Sequence, residues 1–191
     1  MKKPSKSLLK LTSFLILFTA IVFTSCNGKS GSKNEKNSRP SAPVTTLHAA
    51  AFMGDISAVR QHIAAGTSLN AKDQYGSTPL TIAATFGKTE VAKQLMNAGA
   101  DTNMKNNEGS TPLHVAAFFC RTEIVKELLD HGADKTIKNN TNSTALEIVS
   151  VPFADVKVVY DYIGKELGPL GLKLDYDYLE KTRPVIAKML E

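Results

Sequence analysis

Short apolar blocks return along this chain every 33 residues. Leu80/Ala83/Ala84 and Leu113/Ala116/Ala117 keep the i, i+3, i+4 spacing of one helix face. Each is preceded by a Thr-Pro pair, Thr78-Pro79 and Thr111-Pro112. The threonine caps a helix, and proline is harmless at its first position, where an N–H has no partner anyway. The predicted helix is short and its inward residues are small, so neighbours pack closely. Gly54 and Gly87 stand where it ends. A second helical periodicity follows in Ala58/Val59/Ile63, Val91/Ala92/Leu95/Met96 and Ile124/Val125/Leu128/Leu129, closed by Gly66, Gly99 and Gly132. Polar turns come next at 70–76, 103–109 and 136–142. Blocks begin at Thr45-Thr46-Leu47-His48, Ser77-Thr78, Ser110-Thr111 and Ser143-Thr144. Four units, each too small to bury its own apolar face, predict a stacked array.

Three departures change details of that picture. Cys120 replaces the helix-ending glycine at the position of Gly87, which predicts a cost of about 1 kcal/mol for a left-handed backbone. Asn142 stands where Gly76 and Gly109 stand, and asparagine tolerates that region. The fourth block lacks its proline but keeps Thr144 and Glu147 in capping-box spacing. Beyond it, 155–167 predicts the second helix of the fourth unit, broken by Gly168-Pro169-Leu170-Gly171. A last helix is predicted over about 175–191, with Pro184 kinking it or starting a new turn. Its Leu174, Tyr178, Leu179, Val185, Ile186, Met189 and Leu190 are expected to cover the open end of the stack.

The TPLH helix start, Gly99-Ala100-Asp101 and Gly132-Ala133-Asp134 after the second helix, and the glycine-ended turns resemble ankyrin repeats over about residues 44–151. The resemblance implies an all-α repeat: a solenoid of about four helix-turn-helix units with β-hairpin-like loops, finished by a C-terminal helical cap at 152–191. It also implies a concave face of loop tips and first helices that binds partner proteins.

The first 43 residues read differently. Residues 1–10 are lysine-rich, and 11–23 form an apolar run of 13 residues, short of the roughly 20 a membrane-spanning helix needs. The run ends in Phe23-Thr24-Ser25-Cys26, which resembles a bacterial lipoprotein signal with Phe23 in place of the usual leucine. The resemblance implies a signal peptide over 1–25, lipidation of Cys26, and anchorage in the cell envelope. Asn27 after the cysteine tilts the expected address to the outer membrane or periplasmic face rather than the inner membrane. Residues 26–43 are rich in Gly, Ser, Asn and Lys and predict a flexible tether.

Charge removes one class of function. The chain carries a net +5, but from residue 44 onward there are 15 basic and 17 acidic groups, so the folded part lacks a nucleic-acid footprint. No catalytic constellation or phosphate loop stands out, and the protein is expected to be a non-enzymatic interaction module needing no cofactor or metal. His48 and His114 share one repeat position, where they are expected to bond back to the cap and to a neighbouring turn. Cys120 is expected to be packed and inert. A rival reading, an envelope accessory factor handling haem or a metal, would use His48, His114 or Cys120. The feature above background is aromatic: Phe52, Phe86, Phe118 and Phe119 recur at the ends of successive first helices, with Tyr75 and Lys105 on loops beside them. Either each ring packs as core, or together they line a partner-binding groove. On the second reading, Phe119→Glu abolishes capture of the partner and leaves the melting temperature nearly unchanged.

Overall fold

The computed structural model describes residues 40–191. The segments expected to be a signal peptide and tether, Cys26 included, lie outside the described residues but for the last few positions of the tether. Those described contain no strand and nine α-helices: α1 Leu47–Met53, α2 Ile56–Ala64, α3 Pro79–Thr85, α4 Thr89–Asn97, α5 Pro112–Phe118, α6 Thr122–Asp130, α7 Ala145–Ser150, α8 Phe153–Leu167 and α9 Tyr176–Leu190. A 3-10 turn, Gly168–Leu170, separates the last two. Helices α1, α3, α5 and α7 stack in one layer, and α2, α4 and α6 form a second layer behind them.

Small side chains make the stacking close. Ala50, Ala51, Ala83, Ala84, Ala116 and Ala117 are all fully buried, as are Leu80, Val59, Leu95, Val125 and Leu128 in the same core. Each such Leu or Val contributes about 1.5–3 kcal/mol by leaving water. Thr78 caps its helix as expected, accepting from the Thr81 amide, and in the first unit Thr46, at the repeat position of Pro79, accepts from the Ala49 amide. Thr144 and Glu147 close a reciprocal capping box.

The loops are tight turns that repeat their chemistry every 33 residues. Asp73 Oδ1 accepts from the amides of Tyr75 and Ser77; Asn106 and Asn139 repeat the pattern in the next two loops. Successive loops are laced together. Lys72 Nζ donates to the Lys105 carbonyl at 2.7 Å, and Lys105 Nζ to the Lys138 carbonyl at 3.0 Å. The amide of Asn107 donates to the Tyr75 carbonyl, and that of Asn140 to the Glu108 carbonyl. Gly76 and Gly109 have positive φ, and a Cβ on either would strike the asparagine of the following loop, Asn107 or Asn140. These two glycines are required by close approach as well as by conformation. Asn142 takes φ +60° and Cys120 φ +53°, as their positions in the repeat demand.

The fourth unit departs from the expected order. The 33-residue period places its second helix at 155–167, and α8 does form there. Yet α9, not α8, lies against α7 and α6 in the slot a second helix occupies. The segment from Pro152 to Leu174 is therefore an insertion between the two helices of the last unit. Pro184 does not end α9, which continues through it to Leu190. The surface α9 buries consists of Leu179, Thr182, Arg183, Ile186 and Leu190, while Tyr178 and Val185 are partly exposed and Leu174 and Met189 are half-buried.

Candidate interaction surface

The aromatic residues at the ends of the first helices divide into two groups. Phe52 and Phe86 are half-buried and meet edge to face, with ring centroids 4.7 Å apart. Beside them Met53 is 54% exposed. The Lys88 side chain crosses over Gly54 at this end of the stack. Together these residues form an apolar ledge, open to solvent and flanked by a cation, on the first two units.

On the third unit the same positions are closed. Phe118 is 2% exposed and Phe119 5%. Phe118 lies edge to face with Phe119 and stacks on Tyr160 of α8 at 4.6 Å. Tyr160 donates its hydroxyl hydrogen to the Phe118 carbonyl and accepts from Arg183 Nη1 at 2.9 Å. Arg183 Nη2 donates to the carbonyls of Ile148 and Val151, at 2.7 and 2.8 Å. Arg183 is 2% exposed. Its charge is stabilised by the carbonyl end of α7 and a phenol, not by a carboxylate. From the start of α9, Tyr178 donates to the Cys120 carbonyl at 3.2 Å.

The six-residue groove expected from sequence is corrected accordingly. Phe118 and Phe119 belong to the core, because the insertion and α9 cover them, so Phe119→Glu strikes the fold rather than a contact surface. Tyr75, expected on a loop tip, is 8% exposed. Lys105 is exposed, but its ammonium is occupied in lacing one loop to the next. Only Phe52 and Phe86 of the six keep an accessible apolar edge, and Met53, which the repeat alignment shows at the position of Phe86 and Phe119, joins them.

The histidines take the structural part. His114 Nδ1 accepts from the Thr111 amide at 3.2 Å, which leaves Nε2–H to donate to the Ser143 carbonyl at 3.1 Å. The network thus assigns one neutral tautomer, and burial lowers the imidazole pKa from its ordinary value. His48 Nε2 lies 3.0 Å from the Ala71 carbonyl and 3.2 Å from that of Ser77. His62 is buried, with Nε2 2.7 Å from the Thr45 carbonyl, so it fastens the backbone just before α1. Burial pushes the Cys120 thiol up to about 11, the reverse of an activated nucleophile. Among the described residues no cluster of His, Cys, Asp or Glu could hold a metal ion.

Stacked helix pairs, glycine-ended laced turns and histidines bonded to the next loop define an ankyrin-repeat solenoid. Residues 47–139 match the family model described as ankyrin repeats in three copies. Among solved structures, the chain is similar to the ankyrin repeat domain of Bcl-3, described as a unique member of the IkappaB protein family. The two share 29% sequence identity with a TM-score of 0.52, over 53% of this chain and 45% of that one. The chain thus aligns with less than half the length of that structure. No curated protein matches the sequence. Ankyrin repeats indicate a protein–protein interaction module, and modules of this kind are generally non-enzymatic.

Proposed function

We propose that this protein recruits a partner protein at the bacterial cell envelope, held there by lipid on Cys26, and that the partner docks on the ledge of Phe52, Met53 and Phe86. The observation that carries the docking reading is the contrast between the two ends of the stack. Aromatic positions of the third unit are sealed by the chain's own C-terminal segment, whereas those of the first two stay open to water. Aromatic and methionine side chains are the types that anchor protein interfaces. The anchoring reading rests on the lysine-rich start, the 13-residue apolar run and Thr24-Ser25-Cys26. No helix among the described residues is long and apolar enough to cross a membrane. Attachment at the outer membrane or periplasmic face would raise the local concentration of whatever the ledge binds.

One experiment tests both halves. The full chain, expressed in a bacterium that processes lipoproteins, is fed a labelled fatty acid and carries a photo-crosslinking residue at Met53. Label in the wild-type chain and none in Cys26→Ser supports the anchor. A discrete crosslinked protein that disappears with Phe86→Glu supports the ledge. Equal label in both chains overturns the first half, and a crosslink indifferent to Phe86→Glu overturns the second.

A further inference from the structure

The outward faces of the outer helices differ in kind. Those of α2, α4 and α6 present polar residues such as Arg60, Gln61, Glu90, Asn97, Glu123 and Lys126, with no exposed large hydrophobic among them. The inserted helix α8 presents Val158, 57% exposed, and Tyr162, 45% exposed. These two lie in a row with exposed Asp155 before them and exposed Lys165 after them. The spacing 155, 158, 162, 165 follows the three-four rhythm of a helix-pairing seam. At 100° per residue all four fall within one face, on the side away from buried Val156, Val159, Tyr160, Ile163 and Leu167. Among the described residues neither Asp155 nor Lys165 enters an ion pair.

The row is self-complementary in one orientation only. Two copies of α8 laid antiparallel about a two-fold axis at residue 160 bring Val158 of each onto Tyr162 of the other. The same operation sets Asp155 against Lys165 at both ends. A parallel pairing puts aspartate on aspartate and lysine on lysine. We propose that α8 is a homodimerisation helix whose occupant is the α8 of a second copy of this chain, antiparallel and isologous. A helix of 15 residues is roughly 22 Å long, so the interface is at the small end for protein pairs and the dimer is readily reversible. The surface is separate from the Phe52/Phe86 ledge, so one protomer can hold a partner and a second copy at once.

The test uses full-length copies carrying two different epitope tags, co-expressed and extracted in mild detergent, with recovery of one tag through the other as the readout. Wild-type copies are expected to co-purify, and Val158→Asp to abolish it. Asp155→Lys paired with itself, and Lys165→Asp paired with itself, each place like charges at both ends and should lower recovery about tenfold. Asp155→Lys paired with Lys165→Asp restores opposite charges at both ends and should recover wild-type association. All these positions are exposed, and an unchanged melting temperature separates lost association from lost fold. Absence of wild-type co-purification overturns the proposal. So does association that ignores Val158→Asp, or mixed charge variants that fail to recover.

Discussion

Replacing Cys120 by glycine sets two effects against each other at one residue. In the repeat pattern the position asks for glycine, and Cys120 takes φ +53°. Relief of the left-handed backbone contributes about 1–2 kcal/mol. The greater freedom of glycine in the unfolded chain takes back about 0.5–1 kcal/mol. Against that modest gain stands the side chain, which is fully buried with Sγ 3.7 Å from the Leu179 carbonyl of α9. Removing a buried methylene and a sulfur of similar size costs roughly 1.5–2 kcal/mol of transfer free energy. The gap left, on the order of 40 Å³, adds about 1 kcal/mol. Cys120→Gly should therefore destabilise by about 2 kcal/mol, lowering the melting temperature by about 4–8 °C for a folded part of roughly 150 residues. Urea unfolding followed by far-UV circular dichroism measures this in the protein begun at Pro40, which contains every core residue among those described. Asn142→Gly is the control: Asn142 has φ +60° but is exposed, so its midpoint should move by no more than about 0.5 kcal/mol. An unchanged or raised midpoint for Cys120→Gly would refute the reasoning, because α9 would then not be resting on that thiol.

Arg183→Met removes three hydrogen bonds from a buried cation and takes the donor from the Ile148 carbonyl of α7 and the Val151 carbonyl just past it; the lost desolvation of the charge offsets part, leaving a loss of about 2–4 kcal/mol by urea unfolding. A loss under about 1 kcal/mol would show that packing alone seats α9. For His114 the lowered folded pKa means that the unfolded chain binds the proton first. Its contribution is whole above about pH 6.5 and is lost as pH falls towards the folded pKa, at no more than about 1.4 kcal/mol per pH unit. The difference in unfolding free energy between wild type and His114→Gln should shrink from pH 7.5 to pH 5; a difference flat across that range would contradict a neutral, buried imidazole.

What was legible in sequence is what each unit repeats. Thr-Pro starts, the alanine pairs, the histidine that bonds onward and the left-handed turns are local in cause, and the structure places them as read. The closing of the aromatic groove was illegible because its agents lie far along the chain. Tyr160 reaches Phe118 across 42 residues, and Tyr178 reaches Cys120 across 58. Period counting also misassigned the last unit, since a helix does form where the count expects one. What it could not reveal is that α8 spends its apolar face on Phe118 and on Phe153 of its own first turn. The true occupant of the slot was disguised, because Thr182 and Arg183 fall in the middle of its buried stripe and interrupt the apolar rhythm.

That arginine explains how so irregular a unit ends a regular stack. An ordinary last repeat would leave the carbonyl end of its first helix to a following loop or to water. Here α7 is only six residues long, and the carbonyl of Ile148 in its last turn and that of Val151 just past its end take their donors from the protein. Arg183 supplies two N–H groups to α7 and a third to Tyr160, whose own hydrogen goes to the end of α5. One side chain thus joins the fourth unit, the insertion and the third unit in a single network. The same network holds the aromatic positions of the third unit shut and orients α8 with Val158 and Tyr162 outward. Closing one surface and displaying another are therefore consequences of a single buried charge, and the open ledge lies at the end of the stack that this network does not reach.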